Sequence, residues 1–415
     1  MERVAVVGGC RTPFVKAAGV FRSYSFLDLA IHSVTELISR LKLDPKKIDE
    51  LVYSTVLLDP RLPNFAREIV LRSALPKTLS AHSVSNNCIS GLVALTFVAD
   101  GIRTGRIGVG IAGGSESMSN PALSWRPKAE KLFLALSRAR SFGEKLSIIS
   151  QFRPKLFAPL PPSPKEPSTG LTMGEHTELM AKEFKITREA QDQYALSSHK
   201  KAAHAHAAGF LSEDIAPLGG VQEDNLVRGD TSLEKLARLK PVFDRSGAGT
   251  LTAGNSSSLT DGASAVCLMA ESRAKAEGRE VLAYLEDVQY AAVAPGDGLL
   301  MAPAVALPQL LRRNRLTVND VDLFEIHEAF AAQVLANQEA WRKGWAPGAT
   351  NPIGAIPEEK TNVCGGSIAI GHPFAATGGR LILNLARSLK RMNKQVGVIS
   401  VCAAGGMAAA VLLKR

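Results

Sequence analysis

No run of about 18 apolar residues occurs anywhere in the 415-residue chain, which excludes a bilayer-spanning helix. Aromatic residues are few, with 15 Phe, 5 Tyr and 3 Trp, while 35 Gly and 22 Pro are ordinary for a globular chain and exclude a collagen-like or low-complexity one. The five cysteines (Cys10, Cys88, Cys267, Cys364, Cys402) are odd in number and widely spaced, with no C-x-x-C pair. Disulfide scaffolds, zinc ribbons and thioredoxin motifs are thereby excluded, and free thiols in a reducing compartment are expected. There is no P-loop. Gly108-x-Gly110-x-x-Gly113 fits the dinucleotide fingerprint only formally, because its glycines fall within or at the end of a strand rather than in a turn opening a helix. His327-Glu328 is not a zinc-protease motif, since Ala331 stands where the second His is needed. No metal site is expected.

The net charge of +10 allows a polyanionic partner, but it is localised. Residues 123–170 hold nine Lys/Arg against three Asp/Glu, and Pro154 to Pro167 carries six prolines, the composition of an irregular connector. The flanking regions echo each other. Leu43, Ile48 and Asp49 match Leu316, Val321 and Asp322 at one offset of 273, each copy reading helix, turn, short helical start, strand. A second echo runs from Ser90-Gly91 to Gly113-Gly114 and from Thr377-Gly378 to Gly405-Gly406. Strands alternating with helices predict a duplicated α/β unit with an insertion.

Three segments carry chemistry. In Ser85-Asn86-Asn87-Cys88-Ile89-Ser90-Gly91 a strand gives way to a helix, and Cys88 near the helix start is expected to have a lowered pKa from the dipole and free N–H groups. A buried cysteine acting as a small hydrophobe would read the same way. Gly371-His372-Pro373 fixes a histidine between a permissive glycine and a proline that restricts it. The strand Val396–Val401 delivers Cys402 to a tight Gly-rich turn. A thiol nucleophile, a base to free it, a second acid/base and backbone donors for an oxyanion are the parts that acyl exchange between thioesters requires.

These segments, with Arg11-Thr12-Pro13-Phe14, Gly113-Gly114-Ser115-Glu116-Ser117-Met118-Ser119 and Thr252-Ala253-Gly254-Asn255-Ser256-Ser257, make the chain resemble a thiolase along its whole length and in order. The resemblance implies a duplicated thiolase fold, two α/β halves in a layered α-β-α-β-α arrangement with a large loop-domain insertion. The expected division is residues 1–122 (completed by about 259–275), the loop domain 123–258, and 276–415. It further implies Cys88 as the acyl-accepting nucleophile, His372 as its activator and Cys402 as second acid/base. Arg228 falls where relatives contact the adenine of coenzyme A, Ser257 where they contact the pantetheine arm, and Met173 and Phe330 where they border the acyl pocket. Coenzyme A is implied as substrate, and no cofactor.

Three departures narrow the resemblance. His327 stands where most thiolases have an Asn that holds a water in an oxyanion hole, a role a ring nitrogen can fill. Ala404 replaces a glycine but still offers its N–H, and Thr172 precedes Met173-Gly174 where short-chain members often have His. With the basic insertion, these features are similar to the β-subunit of the trifunctional fatty-acid oxidation enzyme. That likeness implies 3-ketoacyl-CoA thiolysis on medium or long chains, a homodimer or larger, and a hydratase/dehydrogenase α-subunit as partner. Within the insertion, Ala129, Leu132, Phe133 and Leu136, then Phe142, Leu146 and Ile149, recur at helical spacing among basic residues. Two amphipathic helices over 126–157 are expected to meet an anionic membrane surface, or a partner subunit, or to pack on their own domain.

Other readings are an acetoacetyl-CoA thiolase working in the biosynthetic direction, a ketoacyl synthase (which would use a second His in place of Cys402), and a non-catalytic CoA-binding or membrane-docking scaffold. Nucleic-acid binding is not expected, since the charge sits on an apolar-faced insertion without a reader motif. Because Arg3–Gly8 already reads as a strand, neither a signal peptide nor a transit segment is expected. That places the chain in a bacterial cytoplasm, peripheral on the inner membrane, or, if processed, in the mitochondrial matrix.

Overall fold

Ten strands alternate with helices in the computed structural model, which describes residues 2–415. They are β1 (Val4–Arg11), β2 (Val15–Lys16), β3 (Glu50–Ser54), β4 (Ser80–Val84), β5 (Val109–Glu116), β6 (Thr260–Ala270), β7 (Ala283–Ala292), β8 (Leu323–Ile326), β9 (Val396–Ala403) and β10 (Met407–Lys414). The strand order is β4-β3-β5-β6-β1-β7-β10-β9-β8, with β2 on β6. The two ends of this order mirror each other. β3, β5, β6 and β1 correspond to β8, β9, β10 and β7, and the single bridge Phe324–Thr361 lies where β4 would recur. Only Ala5–Tyr284 and Val6–Ala283 join the halves across β1 and β7. The offset of 273 carries the 3₁₀ turn Pro45–Lys47 onto Val318–Asp320 and β3 onto β8.

Alternation along the strands sorts the core into layers. Val4, Val6, Val266, Leu268, Ile399, Val401 and Val411 face the helices Ser90–Arg103 and Thr377–Arg391. Ala5, Val7, Leu51, Ile111 and Cys267 face the opposite way, onto Phe26–Arg40 and Phe65–Arg72. Val398, Cys402, Ala410 and Leu412 face Pro303–Arg313 and Ala331–Lys343. The result is helix, sheet, helix, sheet, helix. Because they are covered from both sides, the two inner helices are buried around much of their circumference: in the second, Leu381, Ile382, Leu383, Leu385 and Leu389 are buried together with Arg380 and Asn384. Each of these Leu and Ile side chains contributes about 1.5–3 kcal/mol.

The segment between β5 and β6 forms helices Pro127–Arg138 and Phe142–Ile149, then Met173–Glu183 and Arg188–Ala207. Ser141 caps the second of these with Glu144 in a reciprocal capping box. The two basic helices differ. Ala129 and Leu132 of the first are buried, whereas Phe142, Leu146 and Ile149 of the second are 81%, 57% and 51% exposed. Phe152 stacks on Phe157, and Phe133 packs against both and against Trp125.

Candidate active site

The N-termini of the two inner helices converge. The loop after β4 brings Cys88 to a point two residues ahead of helix Ser90–Arg103, with Asn87 in the left-handed region at φ 48°. Ser90 fastens this loop, accepting the Asn86 N–H at 2.7 Å and donating to the Asn87 carbonyl at 2.6 Å. The related loop before helix Thr377–Arg391 carries His372, its backbone N–H donated to Thr260 Oγ1 at 3.1 Å. Glycine permits the approach of the two loops. A Cβ on Gly91 would lie 2.4 Å from the Ala375 carbonyl oxygen, and one on Gly114 would lie 2.2 Å from it.

The remaining groups come from adjacent strand ends. His327 follows β8, and its ring centroid lies 4.2 Å from that of His372. Its Nδ1 is 3.4 Å from the Sγ of Cys402, near the end of β9. His372 Nδ1 is 2.6 Å from Thr377 Oγ1. Both Nε2 atoms, of His327 and His372, are buried without a partner among the described residues. Two imidazole edges therefore stand ready for a ligand oxygen or a proton. The Ala404 N–H lies near enough to Cys88 to favour its thiolate. Asn87 Nδ2 donates to the Ala404 carbonyl at 3.0 Å, so the nucleophile loop and the Cys402 turn hold each other.

Burial sets the charge state. It pushes the Cys88 thiol up to about 12, against the lowering effect of the Ala404 N–H. This corrects the expectation of a lowered thiol pKa: Cys88 precedes the helix rather than occupying its first turn, and desolvation outweighs the local donors. Burial, with the repulsion a Cys88 thiolate would exert, also raises Cys402 well above its usual value. It lowers His327 to about 3 and His372 well below the ordinary histidine range, assisted by the Arg380 guanidinium. The resting site therefore holds two thiols and two neutral imidazoles.

The other residues singled out in the sequence make contacts of their own. Phe330 packs edge-on against Phe243 at 5.8 Å, and Met173 packs on the same apolar cluster. The Ser257 N–H bonds to the Ala329 carbonyl at 2.9 Å, and the Arg228 N–H to His199 Nδ1 at 3.2 Å. Three carboxyl groups went unrecognised. Glu116, pushed up to about 7 by burial, accepts from Thr55 Oγ1 and the Val56 and Leu57 N–H groups. Glu328 accepts from Tyr194, Ser198 and Asn362. Glu166 accepts the Gly405 N–H at 2.9 Å. The first two were legible only as letters in Gly-Gly-Ser-Glu-Ser and His-Glu-Ala-Phe, and nothing in local spacing marked the third.

Family models for the thiolase N-terminal and C-terminal domains match residues 4–272 and 279–415. The 3-ketoacyl-CoA thiolases of Shewanella sediminis and Pseudoalteromonas translucida are 43% and 42% identical, each alignment covering 100% of this chain and 97% of the relative. Among solved structures, the Bacillus anthracis acetyl-CoA acetyltransferase superposes with a TM-score of 0.84 at 29% identity, covering 100% of this chain and 99% of that one. Human mitochondrial 3-ketoacyl-CoA thiolase in complex with CoA gives 0.84 at 28%, covering 100% and 98%.

Proposed function

This chain belongs to the thiolase family, and from that premise we propose how its residues cleave a 3-ketoacyl-CoA with coenzyme A. The activity is that of a 3-ketoacyl-CoA thiolase, an acetyl-CoA C-acyltransferase. The observation that supports the residue roles is the convergence of Cys88, His372, His327 and Cys402 beside backbone donors. His372 Nε2 takes the Cys88 proton as the sulfur attacks the 3-keto carbon. The C2–C3 bond breaks, the shortened acyl group stays on Cys88 as a thioester, and the departing acetyl-CoA enolate takes the Cys402 proton. The Cys402 thiolate then removes the proton of an incoming CoA thiol, which attacks the acyl-Cys88 thioester. The Cys88 thiolate leaves and recovers its proton from His372.

Each charge that develops has a donor. The Ala404 N–H beside Cys88 serves the tetrahedral oxyanion. If Cys402 donates its S–H to His327 Nδ1, His327 carries its proton on Nε2 and presents it to the enolate oxygen. Arg228 and Ser257 hold coenzyme A, which is a substrate, and Met173 and Phe330 border the acyl chain. No bound cofactor takes part. Medium or long chains are the preferred substrates: across a C4-to-C16 ketoacyl-CoA series, kcat/KM should rise beyond C4. A maximum at acetoacetyl-CoA would reassign the chain to the short-chain, biosynthetic type.

The assembly is a homodimer or larger, for which the outer edge of β4, paired only on its β3 side, is a ready surface. Residues 126–157 meet an anionic membrane surface: Phe142, Leu146 and Ile149 are exposed beside Lys128, Lys131, Arg138, Arg140, Lys145 and Arg153. Each basic residue near such a surface contributes about 1 kcal/mol, screened by salt. The protein should therefore sediment with anionic liposomes at low salt. Changing Lys128, Lys131, Arg138 and Arg140 to glutamine should abolish sedimentation and spare short-chain thiolysis. Failure of the unmodified protein to sediment would make this surface a docking site for a partner subunit or a lid over the acyl channel. No helix among the described residues is long and apolar enough to cross a membrane.

A further inference from the structure

The residue after His327 gathers contacts from distant segments. Glu328 is buried, and its two carboxyl oxygens accept four hydrogen bonds. Tyr194 Oη donates to Oε1 at 3.1 Å and Ser198 Oγ to Oε2 at 2.7 Å, both from helix Arg188–Ala207. Asn362 Nδ2 donates to Oε1 at 2.6 Å. The Ile368 N–H donates to Oε2 at 3.2 Å, from the short helix Ser367–Ile370 that leads through Gly371 into His372.

These contacts tie the two histidine segments together. Asn362 also grips Ile326, accepting its N–H at 2.7 Å and donating to its carbonyl at 2.9 Å, so one side chain holds the residues on both sides of His327. Ser198 Oγ accepts the Gly366 N–H at 3.1 Å, and a Cβ on Gly366 would lie 2.2 Å from the Glu328 carboxyl carbon. The backbone that leads to His372 therefore lies directly on the carboxyl group. Gly365 at φ 73° and Gly371 at φ 108° flank the short helix, and glycine turns through such angles at little cost. Arg380 Nη2 donates to Ser367 Oγ at 2.8 Å, a single contact about which the helix can turn.

We infer that Glu328 is a positioning residue: by tying the Gly366–Ile368 backbone to the peptide next to His327, it fixes the approach of the His372 ring to the catalytic centre. The inference rests on the reading of His372 as the base for Cys88. Removing the carboxyl group would leave buried donors on Ser198, Asn362 and Ile368 without their acceptor, and the glycine-flanked helix is the part able to move in search of another. A shift of about 1 Å in a reacting group can cost about 10²-fold in rate, although no group that takes or gives a proton has been removed.

A loss that runs through His372 must vanish once His372 is already gone, whereas a merely structural loss persists. In Glu328→Ala, single-turnover acylation of Cys88 by saturating acyl-CoA should slow at least about tenfold, with the half-saturating concentration within about twofold of the unmodified protein. Added to His372→Asn and measured at about pH 9, where free thiolate carries that variant's reaction, Glu328→Ala should change the rate by less than about twofold. The inference is overturned if Glu328→Ala acylates normally, if only the half-saturating concentration moves, or if it slows the His372→Asn background by a comparable factor. Should Glu328→Ala fail to fold, Ser198→Ala decides by the same measurements, since it removes both a donor to Glu328 and the acceptor for Gly366; its expected loss is about threefold. A His372→Asn protein that acylates as fast as the unmodified one would instead overturn the reading of His372 as base, and this inference with it.

Discussion

Cys88→Ala should lose thiolysis by about 10⁴-fold or more, because the variant lacks the thiol assigned to carry the acyl chain between the two halves of the reaction. Its companion observation is direct. Brief incubation of the unmodified protein with a 3-ketoacyl-CoA should leave the acyl mass on the Cys88 peptide. Cys402 is the competing thiol, buried beside the same centre. An acyl group found only on the Cys402 peptide would exchange the two assignments. The alanine variant should keep its fold, since Cys88 packs only at the margin of the inner core and the loop is fastened by Ser90 and Asn87 instead.

His372→Asn and Cys402→Ser should each lower turnover by orders of magnitude, but at different steps. Cys402→Ser should still acylate at Cys88 from an acyl-CoA and then stall, because the incoming thiol has lost its base. His372→Asn should slow acylation itself. The two should also part in their pH dependence. The Cys88 thiol is pushed up to about 12, while His372 is held well below the usual histidine range and is therefore neutral and able to accept a proton at neutral pH. With His372 in place, acylation should be nearly flat from about pH 6 to about pH 9, the base being unprotonated throughout. In His372→Asn the reaction depends on free thiolate, so its rate should climb about tenfold per pH unit over that window. A flat profile in the variant would remove His372 from the role of base, and near-normal turnover in Cys402→Ser would remove Cys402 from its own.

The duplicated α/β architecture was legible in the sequence because duplication leaves a one-dimensional trace. The offset of 273 between Ile48-Asp49 and Val321-Asp322 reappears as the correspondence of Pro45–Lys47 with Val318–Asp320 and of β3 with β8. It also explains a site residue: the same offset relates Ser54, whose Oγ donates to the Gly113 carbonyl, to His327 beside Cys402. One copy of the motif has a structural hydroxyl and the other presents an imidazole to the catalytic centre. The insertion was readable by the same logic, since charge, proline density and a 3.6-residue apolar period are local properties.

By itself, then, the sequence determined the duplicated α/β frame, the cysteine and histidine segments from which a thioester exchange can be built, and the amphipathic character of 126–157. Those features depend on neighbours along the chain. Only the tertiary structure decided the protonation states and the supports. Cys88 looked activated from its place near a helix start, yet burial between the two halves raises its pKa, and the same burial keeps His327 and His372 neutral. Glu166 reaches Gly405 across 239 residues, and Glu116 reaches Ala375 across 259. Desolvation and hydrogen bonds of that span arise from what packs against a group, and no local pattern encodes them.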